Sequence, residues 1–216
     1  MNSDQFKKQL PILNNPTMFN SRKIFLYAIL FAAFTFTACE SDDPEPENDG
    51  EVITDVILNF QELDASGNPV GAVSSFSASD PQGIEVGATP TIETVELTKG
   101  KTYQLNIEVR NSIENEDITE EILEEADEHQ FYFLGTAFVG SPILTYQYDD
   151  LSGELIGVQG ILTVQQNPGF NNANMQIILR HDLDKNYPGA SNPNFQEYAM
   201  AGGESDLDIT FPVVVE

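Results

Sequence analysis

The chain has 216 residues, of which 35 are acidic and 9 basic, with one Cys, two His and no Trp. A formal charge of −26 excludes sequence-independent binding to nucleic acid through a basic face. One Cys excludes a disulfide framework and any multi-thiolate zinc or iron–sulfur centre, while a hydrophobic content of 40% argues for a folded core.

The charge is unevenly placed. Residues 1–38 hold four of the bases (Lys7, Lys8, Arg22, Lys23) and one acid, Asp4, so the rest of the chain has 5 bases, 34 acids and a net charge of −29. Arg22-Lys23 precedes an apolar run from Ile24 to Phe36, followed by Thr37-Ala38-Cys39. A basic start, a short apolar stretch and a small residue before the cut are the parts of a secretory signal. The run is too short to span a bilayer, which takes about 20 residues. Residues 1–17 add polar, Pro-containing sequence before an otherwise compact signal, so the true start is expected at Met18.

Phe36-Thr37-Ala38-Cys39 resembles a bacterial lipobox in the loose form used by Bacteroidetes. The resemblance implies cleavage before Cys39, lipid attachment to its thiol and anchoring in the membrane through several acyl chains. A plain secretory signal with a leftover free thiol is the rival reading. Residues 39–51 follow as an acidic tether, with seven acids between Glu40 and Glu51 and almost nothing to bury. Cys39 followed by Ser41-Asp42-Asp43 also resembles the export signal that sends Bacteroidetes lipoproteins to the cell surface. The expected location is therefore the outer membrane, facing outward, with a periplasm-facing lipoprotein as the alternative.

Residues 52–216 suit one domain. Val52 to Phe60 is a β-branched first strand. Asp64 to Pro69 turns the chain into a second strand, Val70 to Ala78, and Asp80-Pro81-Gln82-Gly83 turns it again. Thr91 to Leu97 alternates imperfectly. Tyr103, Leu105, Ile107 and Val109 alternate cleanly and are expected to face the core.

One acidic connecting helix is predicted over about 116–129. Asp117 is its N-cap, with Glu120 three residues on, and Ile118, Ile122 and Ala126, with Leu123 beside them, form a narrow apolar stripe. Nine acids lie between Glu114 and Glu128, and those at the end oppose the helix dipole. Strands resume at Phe131–Leu134, Ile143–Tyr148, Leu155–Val164, Met175–His181 and Leu207–Val215, with Pro212 marking an edge or a bulge. About eight short strands separated by turns predict a mainly β, antiparallel, Ig-like β-sandwich. The stretch from Asn186 to Ser205 is long for a connection, and a short helix is expected in it, starting at Asn192-Pro193 and stopping at Gly202-Gly203. Loops on a rigid sandwich are where binding resides.

Candidate chemistry is sparse. Asp182-Leu183-Asp184-Lys185-Asn186 matches the opening of a calcium loop, but Tyr187 stands where its glycine belongs and no Glu closes the motif. The rival is an acidic loop at a strand exit; Asp206 and Asp208 lie nearby in sequence. His129, with Glu125 four residues before it, and His181 are candidate zinc ligands; otherwise they are one His after a helix and one at a sheet end. H-E-x-x-H, G-x-S-x-G, a P-loop and G-x-G-x-x-G are all absent, so no catalytic residue is named. Glycan capture without Trp would rest on tyrosines. Tyr146 and Tyr148 point the same way on one strand, and core packing is the favoured reading.

Three segments together resemble a family of small Bacteroidetes lipoproteins of unestablished function: Glu116 to Phe131, Leu179-Arg180-His181, and Gly202 to Phe211. Such chains can carry the labels of a type 1 periplasmic-binding fold or a GTP cyclohydrolase. The residues support neither, since the first needs repeated βα units and the second a Cys ligand, whereas the single Cys is the expected lipid site. The leading expectation is a non-enzymatic, lipid-anchored envelope protein that binds a ligand or partner through its loops. The rivals are a calcium- or zinc-dependent module, possible as a hydrolase, at Asp182, Asp184, Asn186, His129 and His181, and a structural subunit of an outer-membrane complex.

Overall fold

A computed structural model describes residues 52–86 and 89–216. The signal, Cys39, the tether and the start at Met18 lie outside the described residues. Two sheets form the fold. Sheet 1 has the order β3-β2-β1-β5-β8-β7, made of β1 (Asp55–Leu63), β2 (Ser74–Ser79), β3 (Thr91–Ile92), β5 (Thr102–Arg110), β7 (Leu144–Tyr148) and β8 (Gln159–Val164). Sheet 2 has the order β4-β10-β9-β6, made of β4 (Val95–Leu97), β6 (Gln130–Leu134), β9 (Asn172–His181) and β10 (Glu204–Val215). The protein is a mainly β sandwich with one α-helix, α1 (Ile118–Glu124), among the described residues. No described helix is long and apolar enough to cross a membrane.

Sheet 1 follows the alternation of its sequence. Val56, Leu58 and Phe60 of β1 lie beside Val109, Ile107 and Leu105 of β5, and all six are buried. Their polar neighbours face outward, because successive side chains leave a strand on opposite sides. Across the sandwich, Tyr146 of β7 stacks on Phe133 of β6 with ring centroids 3.7 Å apart. Its ring also lies so close to Gly160 of β8 that a Cβ there would collide with it. The Tyr146 hydroxyl donates to the Gly157 carbonyl and the Tyr148 hydroxyl to the Phe131 carbonyl. Both tyrosines are therefore core residues that bind the sheets together, not a glycan platform.

Four expectations need correction. Ten strands form, because the imperfect run from Thr91 to Leu97 divides between the sheets: Ile92 pairs with Ala78, and Val95 pairs with Val213. β4 runs parallel to β10, so the sandwich is not wholly antiparallel. The helix is half the expected length, since Glu125 to Glu128 are in turns rather than helix. No base stands in its last turn, so the acids there meet the negative end of the dipole uncompensated. Leu123 is exposed, leaving Ile118 and Ile122 as the buried stripe. The N-cap holds as expected, with Asp117 accepting from the Thr119 N–H. Thr119 then docks the helix, its hydroxyl donating to the Val109 carbonyl and accepting from the Val109 N–H.

The fourth correction concerns the loop after β9. The one short helix there is a 3-10 turn, Tyr198–Ala201, which stops at Gly202 as expected but does not start at Asn192. The Asn192 side chain accepts instead from the Asn194 N–H in a local turn. The loop lies over the outer face of sheet 2. There Tyr132, Leu134, Ile178, Leu183, Ala190 and Ala201 form a second apolar cluster, with Tyr187, Phe195 and Tyr198 packed on it. β6 is consequently buried along its whole length. Its open edge is stitched to the loop, with the Phe133 N–H donating to the Pro193 carbonyl and Asn194 donating to the Phe133 carbonyl.

Pro212 sits in β10, between two strands, yet at a local edge. β4 pairs only with Val213–Val215. The Glu216 N–H points toward β4 and the Val215 N–H toward the β9 side, so by strand alternation residue 212 directs its missing N–H away from β9. Four residues earlier, on the same side, the Asp208 N–H is capped by the Glu85 carboxylate at 2.7 Å.

Candidate functional site

Three strands of sheet 2 bring the two histidines together. His129 immediately precedes β6 and His181 ends β9. Gln130 and Ser205 both lie beside Arg180 in the register, so β6, β9 and β10 converge at one end of the sheet. The imidazoles stack face to face, with centroids 4.5 Å apart and planes 12° from parallel. His129 is buried and His181 partly exposed.

A bulge supplies the third member. β10 shifts register between Ser205 and Leu207, leaving Asp206 without a partner across the ladder. Such a residue is turned out of the normal alternation. One Asp206 oxygen stands 3.8 Å from His129 Nε2 and 3.9 Å from His181 Nδ1. Burial raises the Asp206 pKa above the ordinary carboxylate value, with the two histidines and Arg180 opposing that rise.

The other nitrogen of each ring faces acids nearer the surface. His129 Nδ1 lies 3.8 Å from the Glu125 carboxylate, and His181 Nε2 lies 3.6 Å from Glu128 and 3.9 Å from Asp182. Donor atoms of Glu125, His129 and His181 all fall within 4.8 Å of one another, as do those of Glu128, His181 and Asp182. Asp182 holds a left-handed backbone, φ 57°, a conformation Asp tolerates better than most residues. Gly203 passes so close to the His181 carbonyl, at φ 69°, that any side chain would collide.

A buried cation and a half-buried one brace this end. Arg180 donates to the Ser205 hydroxyl and to the Gly202 and Gly203 carbonyls, with its guanidinium 5.5 Å from the Tyr198 ring centroid. Lys185, in the long loop, donates to the Ala126 and Leu155 carbonyls. It thus supplies, from elsewhere in the chain, a cation beside the turns that follow α1. Burial lowers its pKa, against the pull of Glu154, Asp150 and Asp127.

Of the residues singled out from the sequence, His129, His181 and Asp182 meet; Asp184 and Asn186 do not join them. The Asp184 carboxylate accepts from the Asn186 N–H and its own N–H donates to the Ala201 carbonyl, which makes a turn of the D-x-D-x-N stretch. Glu128 was missed because a solvated acidic helix face offers no reason to choose one acid among nine. Asp206 carried a signal only as a neighbour of the candidate calcium loop; the bulge that aims it at the histidines is invisible in the sequence. A separate open depression of about 400 Å³ lies on the outer face of sheet 2, between Leu134, Val139, Gln176, Gln196 and Tyr198.

Compared with models of known protein families, with curated proteins and with solved structures, the chain matches none.

Proposed function

We propose that the protein is a lipid-anchored envelope protein whose sandwich is a ligand- or partner-binding module held out from the outer membrane, on the cell-surface side. The observation that carries this reading is the placement of the only Cys, Cys39, at the end of a basic-then-apolar leader and directly before an acidic run. The likeness to small Bacteroidetes lipoproteins belongs to the same reading. Its supports in the fold are consistent with display on a tether. β1 begins at Asp55, close behind the tether, and residues 39–51 reach at most about 45 Å when extended. The end of sheet 2 collects His129, His181 and their acids, and the loop after β9 frames the depression beside Tyr198.

Membrane fractionation tests the anchor. The parent chain is expected in the outer-membrane fraction and Cys39→Ala in the soluble one. A Cys39→Ala variant that stays with the membrane overturns the assignment. Protease treatment of intact cells then separates the two faces: a surface protein is digested, a periplasm-facing one is protected.

A further inference from the structure

We infer that the stacked His129–His181 pair is a binding site for one divalent transition ion of the zinc type, held by one nitrogen of each ring and the Glu125 carboxylate, with Asp206 behind as positioning residue. This rests on the binding-module reading and names its ligand.

The arrangement of the ring nitrogens carries the argument. Each imidazole turns one nitrogen toward the buried Asp206 and the other toward surface acids: Glu125 for His129, Glu128 and Asp182 for His181. Metal-binding histidines commonly have a carboxylate behind the ring that orients it. Here one Asp206 oxygen stands behind both rings, at 3.8 and 3.9 Å, beyond hydrogen-bond reach, and acts on them as a nearby charge.

Distance and charge point the same way. Ligands on a tetrahedral zinc ion lie about 3.3 Å apart, given bonds of about 2.0–2.1 Å. Donor atoms of Glu125, His129 and His181 already fall within 4.8 Å of one another, and the His129 Nδ1 to Glu125 carboxylate separation is 3.8 Å. Glu125 stands in a turn with its side chain about half exposed, so it can approach, and the rings must turn out of their near-parallel stack for both in-plane lone pairs to meet one ion. His129 Nδ1 also lies 3.3 Å from the Glu125 carbonyl, a long contact that the ion would replace. Glu128 and Asp182 lie within 3.9 Å of His181 Nε2 but group with that ring and not with His129 and Glu125, so solvent completes the ligand set.

Four carboxylates, those of Glu125, Asp206, Glu128 and Asp182, stand around the two rings, and a bound dication would offset their charge. Imidazole nitrogens select zinc, nickel or copper over calcium, which takes oxygen.

The test uses the full chain carrying Cys39→Ala, so that the thiol cannot compete. Isothermal calorimetry and melting temperature are followed as Zn2+ is added to chelator-treated protein. One ion per chain is expected, with a rise in melting temperature. His181→Ala should weaken binding at least 100-fold, and Glu125→Gln at least tenfold. Asp206→Asn should weaken it about 10–100-fold without lowering the melting temperature of the metal-free protein at neutral pH, which a merely structural residue would not do. Asp184→Asn should bind like the parent. His129→Ala is the direct counterpart; because His129 is buried, His181→Ala and Glu125→Gln decide the matter if it fails to fold. No heat and no melting shift with zinc overturns the proposal, as does zinc binding that survives His181→Ala. The anchor is read by fractionation and the ion by titration, so either can fail alone.

Discussion

The six-stranded sheet buries one face and leaves the other to water, whereas the four-stranded sheet is covered on both. On the first, inward Leu58, Leu105 and Leu162 alternate with half-exposed Asn59, Gln104 and Ile161. On the second, Tyr132, Leu134 and Ile178 point away from the sandwich core and are buried all the same, because the loop from Leu183 to Ala201 packs on them. The difference teaches that this loop is part of the hydrophobic interior, and that it fixes the strand ends from which His129 and His181 project.

The largest expected effect tests whether that outer cluster is a true core. Tyr132→Ala should cost about 3–5 kcal/mol in urea unfolding, as aromatic truncations in cores do. Ile161→Ala, on the water-facing side of sheet 1, should cost under about 1 kcal/mol. Equal, small losses at both positions would make the loop a mere covering. An intermediate effect is expected at Gln130, which is buried and donates to the Ala190 carbonyl at 2.7 Å and the Tyr148 hydroxyl at 2.8 Å. Gln130→Leu should cost about 1–3 kcal/mol through the partners left behind. It should also open the stretch around Ala190 to protease before any part of sheet 1; simultaneous digestion of both would show that loop and sandwich unfold as one.

The smallest effect concerns pH. The folded-state pKa of Asp206 is raised by burial, so its contribution to stability is fully present below the unfolded carboxyl value of about 3.9 and is lost as pH rises through the folded value. Metal-free Asp206→Asn should therefore gain on the parent as pH goes from 4 to 7. Parallel stability curves for the two proteins would show that the carboxylate costs nothing. A residue that lowers stability while serving a site is a common trade.

Parts of this architecture are legible in the sequence for local reasons. The alternation of Tyr103 to Val109, the Asp117 cap and the Gly202 stop each depend on a few neighbouring residues. The crossing at Glu93–Thr94 does not, since the choice of partner strand for Val95 is made by β10, more than a hundred residues away. The helix ends at Glu124 with no base in its last turn, and the turns after it are held by Lys185, a tertiary neighbour that donates to the Ala126 carbonyl. The histidines were visible as residue types, but their meeting depends on register: a pairing of β9 with β6 or β10 displaced by one residue would turn His181 to the other face. The bulge at Asp206 belongs to the same class of information.

Glu85 and Pro212 also bear on how copies of the protein coexist. Beyond the short reach of β4, β10 presents a long stretch of sheet border, the kind of surface on which a second chain can lay a strand and start a fibril. At one point of that border a carboxylate already occupies the Asp208 N–H, and at another proline offers no hydrogen to give. Wherever copies of this sandwich crowd together, two side chains guard this border against edge-to-edge self-association, independently of any overall charge repulsion.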